Sequence, residues 1–168
     1  MSNFLTKLVG LFTLLFLSSC NSSYVIEISS LLDIDTATVL KEQVIEDCTL
    51  CKEGITIYKI ELDSKTVESF LSKENKRFPD YIDSTWFNYG WFSTPVNPYH
   101  TKVFNHLNYI SKRKVEAVLL EIKKTLDENG IYYAFYIRQF KEDLDPLGAQ
   151  IFVLNPNTRI LYIVISIT

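Results

Sequence analysis

In Arg159-Ile160-Leu161-Tyr162-Ile163-Val164-Ile165-Ser166-Ile167, the residues Leu161, Ile163 and Ile165 alternate with Ile160, Tyr162 and Val164. Successive side chains of a strand point to opposite faces, so both faces of this one are apolar. A strand of that kind needs cover on both sides, and its place is the middle of a sheet. Asn155-Pro156-Asn157-Thr158 supplies a tight turn just before it. Ahead of the turn, Ala149 to Leu154 and Ile131 to Phe140 read as two further strands, so the chain is expected to close with a three-stranded antiparallel meander.

Working back toward the N-terminus, Lys112 to Glu128 has the clearest helical pattern. Val115, Val118, Leu119, Ile122 and Leu126 recur at helical spacing, Ser111 is placed to cap the start, and Gly130 is placed to end it. Ile55 to Leu62 reads as a strand, followed by a short amphipathic helix capped by Asp63 or Ser64 and carrying Val67, Phe70 and Leu71. Asp33 or Asp35 is placed to cap a helix running to about Asp47, with Ala37, Leu40 and Val44 on one side. The β-branched Thr36, Thr38 and Val39 oppose that reading. Tyr24 to Ser30, with Val25, Ile26 and Ile28, reads as a short strand. The expected class is α+β, an antiparallel sheet with helices packed mainly on one face, in a single domain spanning residues 24–168.

Between Phe78 and Tyr99 the composition changes, with eight aromatic residues in 22, including both tryptophans. As a regular strand, Trp86 to Phe92 turns Trp86, Asn88, Gly90 and Phe92 one way and Phe87, Tyr89 and Trp91 the other. Pro95 and Pro98 then impose an extended turn. Aromatic rings both fill cores and dominate interfaces. Trp86, Tyr89 and Trp91 flank Gly90 and precede the proline loop, and are the expected exposed, binding members.

Signatures of common chemistry are missing. There is no nucleophile elbow, no phosphate-cradling glycine loop and no pair of histidines at metal-protease spacing. His100 and His106 are the only histidines, and six residues apart they fall on different faces of any helix they share. Glu142, Asp143 and Asp145 form the densest acidic loop but lack the regular alternation of a calcium loop. No catalytic residue, metal or cofactor is therefore assigned, and a site assembled from distant residues would leave no such signature.

Leu8 to Leu17 is an apolar run preceded by Lys7. Ten helical residues cover roughly half of a ~30 Å hydrocarbon core, so the run is too short to span a bilayer and reads as a signal-peptide core. Leu17-Ser18-Ser19-Cys20 follows it without a gap and resembles the lipobox of bacterial lipoprotein precursors. The resemblance covers residues 1–20 alone. It implies removal of residues 1–19, lipidation of Cys20, and a tether of residues 20–23 ahead of the domain. Two or three acyl chains hold a protein stably on a membrane. In enteric-type sorting, Asn21 in place of an aspartate favours the outer membrane over the inner; in a cell with one membrane the protein would sit on that membrane's outer face.

Cleavage removes Lys7, leaving 16 basic and 20 acidic side chains, and this weak acidity gives no basic footprint for nucleic acid. The remaining cysteines, Cys48 and Cys51, should form a small structural disulfide outside the cytoplasm. The first expectation for function is a non-enzymatic, membrane-anchored module that docks a protein at the envelope, with a loose likeness to small immunity or inhibitor lipoproteins in size and anchoring. Two alternatives stand beside it: a glycan or small-ligand binder stacking on Trp86 and Trp91, and a thiol-disulfide protein acting at Cys48 and Cys51.

Overall fold

The computed structural model describes residues 28–49, 53–80, 85–104, 113–138 and 148–167. Six strands form one antiparallel sheet: β1 (Val39–Thr49), β2 (Glu53–Leu62), β3 (Trp86–Ser93), β4 (Tyr132–Arg138), β5 (Gly148–Asn155) and β6 (Ile160–Ile167). Their order across the sheet is β1-β2-β6-β5-β4-β3. The helices are α1 (Ser64–Leu71), α2 (Thr101–Phe104), which continues a 3-10 turn at Pro98–His100, and α3 (Arg113–Leu126). Residues 28–31 form one further helical turn.

β6 lies between β2 and β5, as its two apolar faces require. Tyr162 pairs with Lys59 on one side and Val153 on the other, and Val164 with Ile57 and Ile151. On one face, Tyr162 and Val164 join a core with Val115, Leu119, Ile122 and Leu126 of α3 and Val103 of α2. On the other, Leu161 packs among Leu32, Ile60, Leu62, Phe70 and Leu154. The α+β class, the antiparallel sheet and the closing meander are those read from the sequence. The longest helix and α2 share one face, while α1 and residues 28–37 cover the other, so the domain has three layers.

Two local readings are corrected. The segment expected to be a helix ending near Asp47 is instead strand β1 from Val39 onward, paired along its length with β2. Val39, Val44 and Ile45 are stiff at χ1 and suit a pleated surface, and the ladder to β2 outweighs the helical spacing of Leu40 and Val44, both of which are exposed. In the strand expected over Tyr24 to Ser30, residues 28–30 are helical, and Leu32 N–H donates to the Ile28 carbonyl at 3.0 Å. Ile28, Leu31 and Leu32 recur at offsets of three and four and are all buried, so the helical period prevails. The rest of that reading, residues 24–27, lies outside the described residues.

Asp63 caps α1 as expected, accepting from Thr66 N–H at 2.8 Å, and the Thr66 hydroxyl in turn accepts from Thr38 N–H at 2.9 Å. That pair of bonds fixes the start of α1 against the entry to β1. After α3, the chain turns through Gly130 at φ 76°, a left-handed conformation suited to glycine. The turn is held by Thr94, whose hydroxyl donates to the Glu128 carbonyl at 2.6 Å and accepts from Ile131 N–H at 3.1 Å. The Thr94–Pro95 peptide bond beside it is cis.

Candidate interaction surface

β3 is an edge strand, and its aromatic residues divide between the faces in a way that strict alternation does not give. Phe87 pairs with Ile137, Tyr89 with Phe135 and Phe92 with Tyr133, with a register shift between Tyr89 and Phe92. The extra residue in that interval is a bulge at Gly90 and Trp91, which reverses the parity of everything after it. Phe87, Tyr89 and Phe92 therefore share the α3 face, while Trp86, Asn88 and Trp91 share the other.

On the α3 face the rings stand partly free. Phe87 is 48% exposed, Tyr89 37% and Phe92 36%. Tyr89 stacks on Phe135 at 4.8 Å and Phe92 on Tyr133 at 5.5 Å, so each ring is held on its inner side and open on its outer side. His100 sits against them, 4.5 Å from Phe92 and 5.1 Å from Phe135 by ring centroids, with Nδ1 3.2 Å from the Tyr133 hydroxyl. Burial lowers the pKa of this imidazole, which favours the neutral ring. Tyr133 Oη also accepts from Asn97 N–H at 3.0 Å, so one buried hydroxyl ties the proline loop to the sheet. Tyr99, next to His100, is 90% exposed.

The three residues expected to form the exposed site are thus separated. Tyr89 is on the open patch. Trp91 lies on the opposite face, where its indole N–H donates to the Leu31 carbonyl at 3.1 Å and its ring meets Phe70 and Phe78 edge-on at 5.1 and 5.7 Å. Trp86 is half-buried against the same core and reaches the backbone of Gly148, where a Cβ would come within 3.5 Å of its ring. The two tryptophans share a face but do not form a free stacking platform. Sequence reasoning counted Phe87, Phe92 and Tyr99 in the aromatic run without expecting them as its exposed members, and weighed His100 only for metal or catalytic roles. The glycine inside a strand pattern was the signal for the bulge that brings Phe92 to Tyr89.

The other sequence candidates carry less geometry. Cys48 lies in β1 opposite Gly54, and its described neighbours on both flanks are strands. Those flanks hold no helix N-terminus of the kind that lowers a thiol pKa. Cys51, Cys20, His106, Glu142, Asp143 and Asp145 lie outside the described residues. Among the described residues no three His, Cys, Asp or Glu side chains gather as metal ligands. An open cleft of about 570 Å³ lies between the proline loop and the end of α3, with Val96, Phe104 and Leu126 beside Lys123, Asp127 and Glu128. The Glu128 carboxylate there already accepts from Asn155 Nδ2 at 3.2 Å.

Comparison of the chain with protein-family models, with curated proteins and with solved structures finds no match.

Proposed function

We propose that the chain is an envelope lipoprotein, anchored through Cys20, whose folded part is a non-enzymatic module that docks a protein through the β3 edge. The observation that carries this reading is the edge strand itself, which pairs with β4 alone among the described residues: Trp86–Ser93 contains no charged residue, and Phe87, Tyr89 and Phe92 project partly free beside it. Rings held by stacking on their inner faces supply contact area at little entropic cost, a property that protein interfaces use. Stacking of a glycan between Trp86 and Trp91 is less favoured, because Trp91 is enclosed by other ring edges and its N–H is engaged. A redox role for Cys48 and Cys51 is less favoured on its strand context.

The test is cross-linking of the full-length anchored protein in its native membrane, followed by mass spectrometry, with Phe87→Ser/Phe92→Ser alongside. A protein captured by the unaltered chain and lost from the double variant is the expected result. Capture that is indifferent to the double variant would reject this edge as the docking surface.

A further inference from the structure

We propose that the occupant of the β3 edge is the β3 edge of a second copy of this chain, paired antiparallel across a two-fold axis so that two six-stranded sheets become one. The proposal rests on the docking reading above and names its partner.

The two edges of the sheet differ in kind. β1 exposes Lys41, Glu42, Gln43 and Glu46 along its length. Charged side chains on an edge strand are the usual means of keeping it from pairing with another. β3 has no such residue, and among the described residues β4 is its only strand partner. A strand without charge is also complementary to itself, because two-fold pairing sets no like charges opposite one another.

The straight part of β3, ahead of the bulge, has a natural centre at Asn88. An antiparallel two-fold axis there sets Asn88 against Asn88 of the second copy, and Phe87 against its Tyr89, twice over. Both aromatic pairs fall on the α3 face, where Tyr89 is already stacked on Phe135 and Phe87 lies opposite Ile137.

Area sets the strength. A large aromatic side chain offers about 150–250 Å², so the exposed parts of Phe87, Tyr89 and Phe92 come to roughly 250 Å² per copy and 500 Å² per pair. Stable interfaces bury about 1,200–2,000 Å². The pairing is therefore weak between free copies and depends on the lipid anchor, which confines both to one surface and raises their effective concentration.

The experiment replaces Phe87 by p-benzoylphenylalanine in the full-length chain and irradiates it in native membranes. The expected product has twice the mass of the chain and is joined through β3 of both copies, whereas the same probe at Leu40 on β1 gives none. Asn88 itself is left unchanged, since its Nδ2 donates to the Pro79 carbonyl at 3.0 Å and to the Asp80 carboxylate at 3.3 Å within its own copy. Tyr89→Asp in the probe-bearing chain should abolish the product, because it removes the ring set against the probe and places like charges near one another across the axis. Adducts with a different protein would overturn the second copy as occupant while leaving docking at this edge intact. Adducts with lipid alone, or none at all, would overturn both.

Discussion

His100 is the residue on which the proline loop and the β3 rings meet, and it ties the domain's stability to pH. Burial lowers its folded-state pKa below the ordinary 6.5, so the unfolded chain takes up the proton first as the solution is acidified. Its contribution to stability is complete above about pH 6.5 and is lost as the pH falls through the lower, folded value. Two carboxylates lose their contributions in a separate, more acidic window. Asp63 is lowered by its hydrogen bonds to the Thr66 side chain and backbone. At Glu121, burial raises the pKa, but hydrogen bonds from Lys59 Nζ at 2.7 Å and Tyr162 Oη at 2.9 Å, with the Lys59 charge, outweigh it. The ordinary values of these two groups are 3.8 and 4.5, so their losses come below about pH 4.5. Melting temperature should therefore begin to drop as the pH falls through about 6.5, before the carboxylate window is reached, and His100→Gln should flatten that drop. An unchanged slope in the variant would remove His100 as the cause. Tyr162 shows the same cluster from its other side: burial, then the hydrogen bond and charge of Glu121, raise its pKa and keep the hydroxyl a donor.

At the scale of elements, α1 is an eight-residue helix whose largest buried side chain is Phe70, with Val67 beside it in the core. Phe70 is fully buried and meets Trp91 and Tyr132 edge-on at 5.1 and 5.2 Å, while its neighbour Leu71 is exposed. Truncating a buried phenylalanine costs about 3–5 kcal/mol, and an exposed substitution stays within about 0.5 kcal/mol. Urea unfolding of Phe70→Ala and Leu71→Ala should separate by that margin; near-equal midpoints would mean that α1 is not docked through Phe70. These elements also show what the sequence made legible and what it hid. Alternation in Ile160–Ile167 and the helical stripe of Val115, Leu119, Ile122 and Leu126 are long one-period patterns, and both elements form where the patterns lie. Val39–Thr49 carried two periods at once, and its pairing with β2, a tertiary fact, selected the strand. The patch was half legible for a similar reason. The aromatic run announced itself, but a bulge of one residue moved Trp91 into the core and Phe92 onto the surface.

For the whole molecule, the decisive quantity is the distance between the proposed anchor and the β3 edge. Ile28, the first described residue, is buried in the core on the α1 face, and Leu31 three residues later accepts from Trp91 of β3. The chain therefore enters the domain beside the edge strand. Eight residue steps separate Cys20 from Ile28, and an extended chain covers at most about 3.6 Å per step. The entry point is thus held within roughly 29 Å of Cys20, and copies anchored there on one membrane would present their β3 edges at similar heights above it. No helix among the described residues is long and apolar enough to cross a membrane, so in this reading attachment falls to Cys20. Under the proposed anchoring, Cys20→Ser would remove every acyl chain at once, since both the sulfur and the new amino terminus would depend on that cysteine. The altered protein should leave the detergent-extracted membrane fraction, and the photo-induced dimer at Phe87 should disappear with it, because free copies have only the small ring area to hold them. Retention of Cys20→Ser in membranes would refute the lipid anchor. Release with an undiminished dimer would show instead that the β3 pairing is strong enough to need no shared surface.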